Sequence, residues 1–399
     1  MNSHATFELP TLHYFLAIQS IVPLGHQTLR LSNLCPRLRP FLVLSIALFM
    51  LLLPNVIVKA SDSLVANVFG KVFSLITTTK FVNVGLRWSN KGSYEESLSG
   101  LTKLMFLRPD GKSLKKKDDD ADIGEKKRTL KEQARGGKKQ RTHPLLTPLS
   151  KVIANVTISY IAINYIYMYF RRHPARPHDG TITTVLLHNT VVTNRPLLIQ
   201  SYLYAFGIYL AMNILYIPLA SLFCVLLGSS VDRVPPVHNM PFLATSLRDF
   251  WNRRWNVLTK GELRDLVYLP VLRGLGLGCP GHVKDKVNFS VSPWKHLVAG
   301  MATFIYSGLM HEYIMWMFFG KMDGEQLAFF TLQGVGVCLE VGFTKLLSRL
   351  GLNRFVSQNS WWAGRIWTMA WLLWTSPLFL NGFVRAGILE KWKIIPLFI

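Results

Sequence analysis

Acidic residues and cysteines are scarce in this chain. Its 399 residues contain 22 Asp and Glu against 45 Lys and Arg, and the formal net charge is +23. The four cysteines stand far apart, and none forms a C-x-x-C pair: Cys35, Cys224, Cys279 and Cys338. That spacing predicts neither a zinc site nor a disulfide framework, and it favours buried, small apolar side chains.

The location of the positive charge argues against a nucleic-acid partner. In a soluble chain, an excess of this size would indicate binding to nucleic acid. Here much of it lies in residues 112–141, a mixed-charge segment without aromatic residues. We interpret this segment as a disordered, solvated loop on the cytosolic side, near anionic lipid head groups, and we expect no nucleic-acid partner.

Charged residues are absent from several long apolar blocks. Half of the residues are hydrophobic and 12% are aromatic. The blocks without Asp, Glu, Lys or Arg are 41–58, 152–170 and 197–228, and each is long enough for a hydrocarbon core of about 30 Å. Further blocks lie at 297–319, 326–347 and 366–383, and weaker ones at 9–24 and 64–86. We therefore expect an all-α integral membrane protein, a multi-span helical bundle with about seven to nine membrane helices.

Composition divides the chain into four parts. We predict N-terminal membrane helices over 1–87, a basic, partly disordered cytosolic loop over 88–148, middle membrane helices over 149–228 and a C-terminal region over 229–399. The N-terminus lacks a basic region ahead of a short apolar run, so we expect no cleavable signal peptide. The topology around 171–196 stays open, because basic residues flank the preceding block on both sides.

The stretch "PFLATSLRDFWNRRWN" (241–256) predicts an amphipathic helix that begins at the N-cap Ser246. At 100° per residue, the apolar face gathers Leu247, Phe250, Trp251, Trp255, Val257 and Leu258. The polar face gathers Arg248, Asp249, Asn252, Arg253 and Asn256. Arg254 falls among the apolar side chains, where it either snorkels or reaches a partner inside the protein. Such a helix lies along a membrane interface or packs into a protein groove, and a simple interfacial anchor is the alternative to a functional role.

The apolar block 302–320 carries His311 and Glu312 near its middle. Ionisable groups at such depth are costly, so they face a cavity or a partner and indicate a functional site. A core histidine bonded to a backbone carbonyl is the alternative. Glu312 lies about 100° round the helix from His311, so we expect it to pair with a basic group elsewhere in the bundle rather than to orient the imidazole.

Two kinds of chemistry at His311 are disfavoured. A zinc protease needs a second histidine one turn on, and that position is Met315, so we expect no metal. Ser307, one turn earlier, is a candidate nucleophile by spacing alone, but its hydroxyl can equally bond its own helix. What remains is a general base acting on a substrate hydroxyl, with desolvation keeping the imidazole neutral.

These two motifs, with "LVYLPVL" (266–272) between them, resemble the plant wax synthase branch of the membrane-bound O-acyltransferase family. The likeness extends through 361–388 and more loosely to 35–54. It implies a helical bundle of this family's kind, with an internal substrate tunnel open to the cytosol, in the endoplasmic reticulum. Residues 229–399 would form the wax synthase-like catalytic region.

The resemblance also implies roles for individual residues. The family's motif histidine falls on His311, as the base that deprotonates the acceptor hydroxyl. Its motif asparagine falls on Asn256, which positions or polarises the thioester. The remaining residues expected to bind substrate are Arg248, Asn252, Arg253, Arg254 and Trp255. The three arginines are candidates to lie near the phosphates of coenzyme A, and contact with lipid head groups at the interface is the alternative. Glycine is usual in the family where this chain has Asn252.

The implied activity is transfer of an acyl group from acyl-CoA to a long-chain fatty alcohol, which forms a wax ester. The partners are then acyl-CoA as co-substrate, a long-chain fatty alcohol or sterol acceptor, and membrane lipid, with no cofactor and no metal. A sterol or diacylglycerol acceptor is an alternative within the same chemistry. From other classes, the alternatives are a transporter that uses His311 and Glu312 as a relay, and an inactive scaffold, to which Asn252 points.

Overall fold

A computed structural model describes most of the C-terminal half of the chain and selected parts of the N-terminal half. The described residues are parts of 7–28 and 71–82, together with 38–54, 58–60, 146–177, 180–190, 195–226, 231, 234, 236–276, 292–351 and 353–387. The predicted cytosolic loop 88–148 lies outside them, apart from its last three residues. The weaker apolar blocks 9–24 and 64–86 lie only partly within them.

The first half of the described chain contains four helices and one small sheet. The helices are α1 (Arg39–Leu52), α2 (Leu146–Arg172), α3 (Ile182–Thr190) and α4 (Arg195–Leu226). The strands β1 (Phe7–Leu9) and β2 (Val58–Ala60) pair in parallel, with Phe7 opposite Val58. This pair is a small departure from the all-α expectation.

The second half begins with short, irregular helices and ends with three long ones. After a 3₁₀ turn (Pro241–Leu243), α5 (Leu247–Asp249) continues as a π-helical turn (Phe250–Arg254). Then α6 (Lys260–Leu263) continues through a second π-helical turn (Arg264–Tyr268) into α7 (Leu269–Gly274). We call residues 236–276 the connector. The long helices are α8 (Pro293–Phe319), α9 (Glu325–Arg349) and α10 (Asn353–Arg385).

Three helices of the described residues are long and apolar enough to cross a membrane: Ser150–Arg172, Ile199–Leu222 and Glu325–Arg349. The helix α8 is as long as α2, but His311 and Glu312 reduce its apolar character. The apolar block 41–58 contains a helix shorter than the block, because α1 ends at Leu52 and its 14 residues extend about 21 Å. A total of seven to nine membrane helices stays a prediction for the whole chain.

The core lies where α10 packs against the other long helices. One buried cluster joins α2, α4 and α10 through Ile163, Ile166, Phe170, Tyr204, Leu210, Leu380 and Val384. A second cluster joins α3, α9 and α10 through Val185, Phe329, Phe330 and Leu378. The helix α3 occupies part of the 171–196 stretch that had no assignment from the sequence, and it packs on α10. As a result, α10 connects the middle helices to the C-terminal ones.

Helices α8 and α9 approach each other most closely at Gly308. A Cβ atom added there would lie 2.8 Å from the Cα atom of Leu327, which is closer than real Cβ atoms come to backbone. The absence of a side chain at Gly308 therefore sets the distance between the helix of His311 and its neighbour.

We expect Gly308→Ala to lower the free energy of unfolding by about 1–3 kcal/mol, because the methyl group forces α8 and α9 apart. Gly300→Ala on the same helix is the matched control, since a Cβ there meets nothing within 4 Å. That change should stabilise the protein by about 0.5–1 kcal/mol through helix propensity. Thermal unfolding in detergent micelles measures both, and equal effects at the two positions would contradict the close approach.

Candidate active site

We call α5 and the π-helical turn that continues it (247–254) the connector helix, and this helix begins at the residue that the sequence predicts. Ser246 has an extended backbone, and its Oγ accepts a hydrogen bond of 2.8 Å from the amide of Asp249, which confirms the N-cap. A second acceptor comes from α9, where the carboxylate of Glu340 accepts from the amides of Leu247 at 2.7 Å and Arg248 at 3.2 Å. Glu340 also accepts from the indole N–H of Trp367 at 2.9 Å. A helix start has free amides that need acceptors, and Glu340 thus anchors the connector to α9 and α10.

The helix ends earlier than the sequence predicts. Its last turn is π-helical, with the amide of Trp255 donating to the carbonyl of Phe250 at 2.8 Å, and Trp255 is extended. Asn256 follows in the left-handed region, with φ at +41°. The prediction that Asn252 and Asn256 share the polar face of one helix is wrong for this reason, and so is the helical assignment of Val257 and Leu258. Asn tolerates the left-handed region better than most residues, so Asn256 also serves the backbone.

The segment before the helix pairs with the segment after it. The amide of Val257 donates to the carbonyl of Val237 at 2.9 Å, and the amide of Asn239 donates to the carbonyl of Arg254 at 2.8 Å. Between these two bonds, the amide of Asn256 donates to Nδ1 of His238 at 3.2 Å. The backbone of Asn256 is therefore held by a side chain rather than by a carbonyl.

His238 is a site residue that sequence reasoning missed. Its ring is only 7% exposed and packs against Trp255 at 4.4 Å and Tyr209 of α4 at 4.9 Å between ring centroids. Burial lowers the pKa of His238 to about 4, so the imidazole is neutral near pH 7. No spacing in the sequence signals this role, because it depends on the chain returning 18 residues later.

The side chain of Asn256 ends in a buried atom without a hydrogen-bond partner among the described residues, its Oδ1. Buried polar atoms are normally paired, so such an atom needs an explanation. A half turn of the carboxamide places the NH₂ group there instead, so this position can present a donor or an acceptor to a bound molecule.

The three arginines of the motif differ in their contacts. Arg254 reaches a partner inside the protein, as one of the two expectations had it: its Nε lies 2.6 Å from Oδ2 of Asp249, and its Nη1 donates to the carbonyl of Met240 at 3.1 Å. Arg248 and Arg253 are exposed. Asn252 is exposed too, so its side chain extends into solvent rather than into the packed interior. A side chain at the family's glycine position is thus accommodated.

Arg248 belongs to a cationic surface that includes the next helices. Burial raises the pKa of Tyr268, and the positive charges of Arg248 and Arg264 act in the opposite direction. The Tyr268 hydroxyl lies 2.6 Å from Nδ1 of His296 at the start of α8. A phosphate group would find several donors on this surface.

His311 has a defined tautomer. Its Nδ1 lies 2.7 Å from the carbonyl of Ser307, which only accepts, so Nδ1 carries the proton and Nε2 keeps a lone pair. The Ser307 hydroxyl donates instead to the carbonyl of Thr303 at 2.9 Å. The Ser307 hydroxyl thus bonds its own helix, which agrees with the alternative to the nucleophile interpretation. The imidazole packs on Phe330 at 4.4 Å and Phe379 at 5.7 Å.

Glu312 points away from this imidazole. Its Oε1 accepts from the amides of Gln326 at 2.8 Å and Leu327 at 3.1 Å, at the start of α9. The expectation that Glu312 pairs with a basic side chain is wrong, because the free amides of a helix N-terminus take that place. His311 and Glu312 thus do not form a relay with each other.

A packed series of aromatic rings joins the two motifs. From Trp255 it passes to Phe250 at 5.6 Å, to Trp251 at 5.0 Å, to Phe330 at 5.6 Å and to His311 at 4.4 Å. The indole N–H of Trp251 also lies 3.4 Å from Oε1 of Gln333, a fully buried residue of α9. Asn256 and His311 therefore lie at the two ends of one continuous aromatic cluster, and Trp255 is part of it.

One cavity among the described residues lies away from both His311 and Asn256. It has a volume of about 240 Å³ and is lined by Met315, Phe319, Lys321, Asp323, Gly382, Arg385 and Ala386. Neither His311 nor Asn256 lines it, so the predicted tunnel between these residues stays a prediction. Within the described residues, no group of three or more His, Cys, Asp or Glu is placed to hold a metal ion.

Comparison with known proteins agrees with this reading of the motifs. Residues 234–332 match the sequence profile of the Membrane bound O-acyl transferase family. Acyl-CoA–sterol O-acyltransferase 1 of Arabidopsis thaliana is 31% identical over 54% of this chain and 60% of its own length. Probable long-chain-alcohol O-fatty-acyltransferase 3 of the same plant is 32% identical over 46% of this chain and 49% of its own length. A third protein, probable long-chain-alcohol O-fatty-acyltransferase 1, is 36% identical over 35% of this chain and 37% of its length.

Residues 234–332, which hold Asn256 and His311, therefore carry the similarity of this chain to the membrane-bound O-acyltransferase family. The resemblance seen in the sequence is confirmed, and the relatives include wax synthase-like proteins and a sterol acyltransferase. The chain spans about half the length of the curated relatives it matches.

We expect Glu340→Ala to lower the free energy of unfolding by about 1–3 kcal/mol, because it leaves the amides of Leu247 and Arg248 without an acceptor. Hydrogen exchange of a peptide covering 245–256 should become faster. Lys345→Ala, at an exposed position of the same helix, is the control and should change neither quantity. Unchanged exchange in Glu340→Ala would show that Ser246 alone anchors the connector.

The pKa of His238 predicts a pH dependence of stability. The folded value of about 4 lies below the ordinary value of 6.5, so the unfolded chain takes up the proton first as the pH falls. Stability should be fully present above pH 6.5 and should decline between pH 6.5 and pH 4.

Thermal unfolding of the wild type and of His238→Asn across this range measures that contribution. The decline should be shallower in the variant, which lacks the titrating ring. Parallel curves for the two proteins would assign the pH dependence to other groups.

Proposed function

We propose that this protein is an acyl-CoA-dependent O-acyltransferase of the endoplasmic reticulum that esterifies a long-chain fatty alcohol to form wax esters. The observation that carries the proposal is the hydrogen bond from Nδ1–H of His311 to the carbonyl of Ser307. It leaves the lone pair on Nε2, as a general base requires, and orients the ring from within its own helix.

In the proposed reaction the acceptor hydroxyl gives its proton to Nε2 of His311 while its oxygen attacks the thioester carbonyl. The carbonyl oxygen becomes an oxyanion, and the carboxamide of Asn256 donates to it. Collapse of this intermediate expels coenzyme A as the thiolate, which takes the proton from the imidazolium, and leaves the ester. The unpartnered end of Asn256 supports this role, since a preorganised donor of this kind contributes about 3 kcal/mol.

Coenzyme A is proposed to lie over the cationic surface of Arg248, Arg264, Tyr268 and His296, with Arg253 also exposed to it. The geometry favours Arg248 and Arg253 over Arg254 as phosphate contacts, because the Arg254 guanidinium is already bonded to Asp249. Asn252 and Trp255 are proposed to contact substrate as well; Asn252 is exposed, and Trp255 packs on His238.

The proposal also names the alcohol that accepts the acyl group. Relatives named for long-chain alcohols support a fatty alcohol, and the relative named for sterols supports a sterol as the second candidate. Against a transporter stands the bonding of Glu312 to helix amides, which removes it from a relay with His311.

The test is acyl transfer in membranes of a yeast strain that lacks its own neutral-lipid acyltransferases. Labelled palmitoyl-CoA is supplied with hexadecanol, a sterol or diacylglycerol. We expect hexadecyl ester from the wild type, and a loss of about 10²–10⁴-fold in His311→Ala because the base is gone. His173→Ala, a histidine at the exposed end of α2, is the matched control and should keep full activity.

Asn256 is tested with Asn256→Gly, because glycine keeps the left-handed backbone and removes only the carboxamide. We expect a loss of about 10²–10³-fold in kcat. Ester formation that survives His311→Ala would remove the histidine as base, and a preferred sterol would replace the fatty alcohol as acceptor. No ester with any acceptor, from a well-expressed wild type, would favour an inactive scaffold or a transporter.

A further inference from the structure

We propose that His238 is a positioning residue for the acyltransfer reaction: its Nδ1 holds the backbone amide of Asn256, and so aims the Asn256 carboxamide at the thioester. The inference rests on the proposed function, in which Asn256 contacts the reacting carbonyl. His238 does not itself touch the substrate in this proposal.

The amide of Asn256 differs from its neighbours because its hydrogen-bond acceptor is a side chain. Backbone bonds hold the chain on either side, from Val257 to Val237 and from Asn239 to Arg254, but the amide of Asn256 has the imidazole as its acceptor, at 3.2 Å. Asn256 is also in the left-handed region, at φ +41°. An unusual backbone conformation persists where surrounding contacts determine it, and His238 supplies the contact at this residue.

The imidazole is itself held in place. It lies between Trp255 and Tyr209 of α4, at centroid distances of 4.4 and 4.9 Å, and is nine-tenths buried. Since Nδ1 accepts from an N–H group, the ring proton is on Nε2, which has no partner among the described residues. The ring is thus committed to one tautomer by a single hydrogen bond, the one to Asn256.

This arrangement couples the site to the membrane helices. Tyr209 is in α4, which is one of the helices able to cross a membrane, and Asn256 is in the connector. His238 packs on Tyr209 of α4 and binds the amide of Asn256, so α4 helps to fix the position of Asn256. A loop without such a contact would place the carboxamide less accurately, and small misplacements are costly in catalysis.

The test compares two substitutions that differ in one hydrogen-bond acceptor. In His238→Asn the side-chain oxygen occupies the place of Nδ1 and can accept from Asn256, whereas His238→Leu has a similar size and no acceptor. We expect His238→Leu to lower kcat by about 10-fold or more with little change in KM, because the contact matters in the transition state. His238→Asn should retain kcat within about 3-fold.

Two further readouts separate positioning from a merely structural role. Hydrogen exchange in nanodiscs should speed up at the Asn256 amide in His238→Leu and not in His238→Asn. In the Asn256→Gly background, His238→Leu should cost no further activity, because the side chain it positions is already gone. An equal cost in both backgrounds, or equal activity of the Leu and Asn variants, would overturn the proposal.

The outcomes also distinguish this inference from the proposed function. No ester from the wild type with any acceptor would overturn the proposed function, and the exchange measurement would still decide whether His238 holds the amide. Ester from the wild type, together with full activity in His238→Leu, would leave the function standing and remove His238 from it. Both proposals are supported if His238→Leu speeds up exchange at the Asn256 amide and lowers kcat while His238→Asn retains both properties of the wild type.

Discussion

Two carboxylates of the long apolar helices hold the C-terminal half of this protein together. Glu340 of α9 accepts from the first amides of the connector helix, and Glu312 of α8 accepts from the first amides of α9. A helix start in an apolar environment leaves donors unsatisfied, and a carboxylate there leaves acceptors unsatisfied. Each pairing supplies an acceptor to amides that the helix itself leaves free, so Glu340 and Glu312 act as helix caps between neighbouring helices.

The order of the candidate site follows from these caps. With its start fixed by Glu340, the connector helix places Trp251 against Phe330, and Phe330 packs on His311. The close approach of α8 and α9 at Gly308 sets the other side of the same cluster. His311 and the connector therefore share neighbours although they belong to different elements. The chemistry proposed for the site depends on this common aromatic packing, because it fixes the connector helix and His311 relative to each other.

Asn256 shows why one residue type meets two demands. Its backbone occupies the left-handed region, which favours Gly and Asn, and its side chain ends in a buried atom that has no partner in the described part of the chain. Glycine would satisfy only the first demand, because it has no side chain to supply a carboxamide. His238 packs on Tyr209 of α4 and on Trp255, and its Nδ1 accepts from the backbone amide of Asn256.

The sequence by itself determined the features that depend on neighbouring residues. The cap at Ser246, the apolar character of α2, α4 and α9, and the presence of His311 within a long helix all follow from local patterns, and the two motifs were enough to indicate the family. Only the tertiary structure decided that His238 and Glu340 reach the motif. The physical reason is separation: Glu340 lies 93 residues from the amide it binds, and a hydrogen bond over such a distance depends on how helices pack rather than on any spacing along the chain.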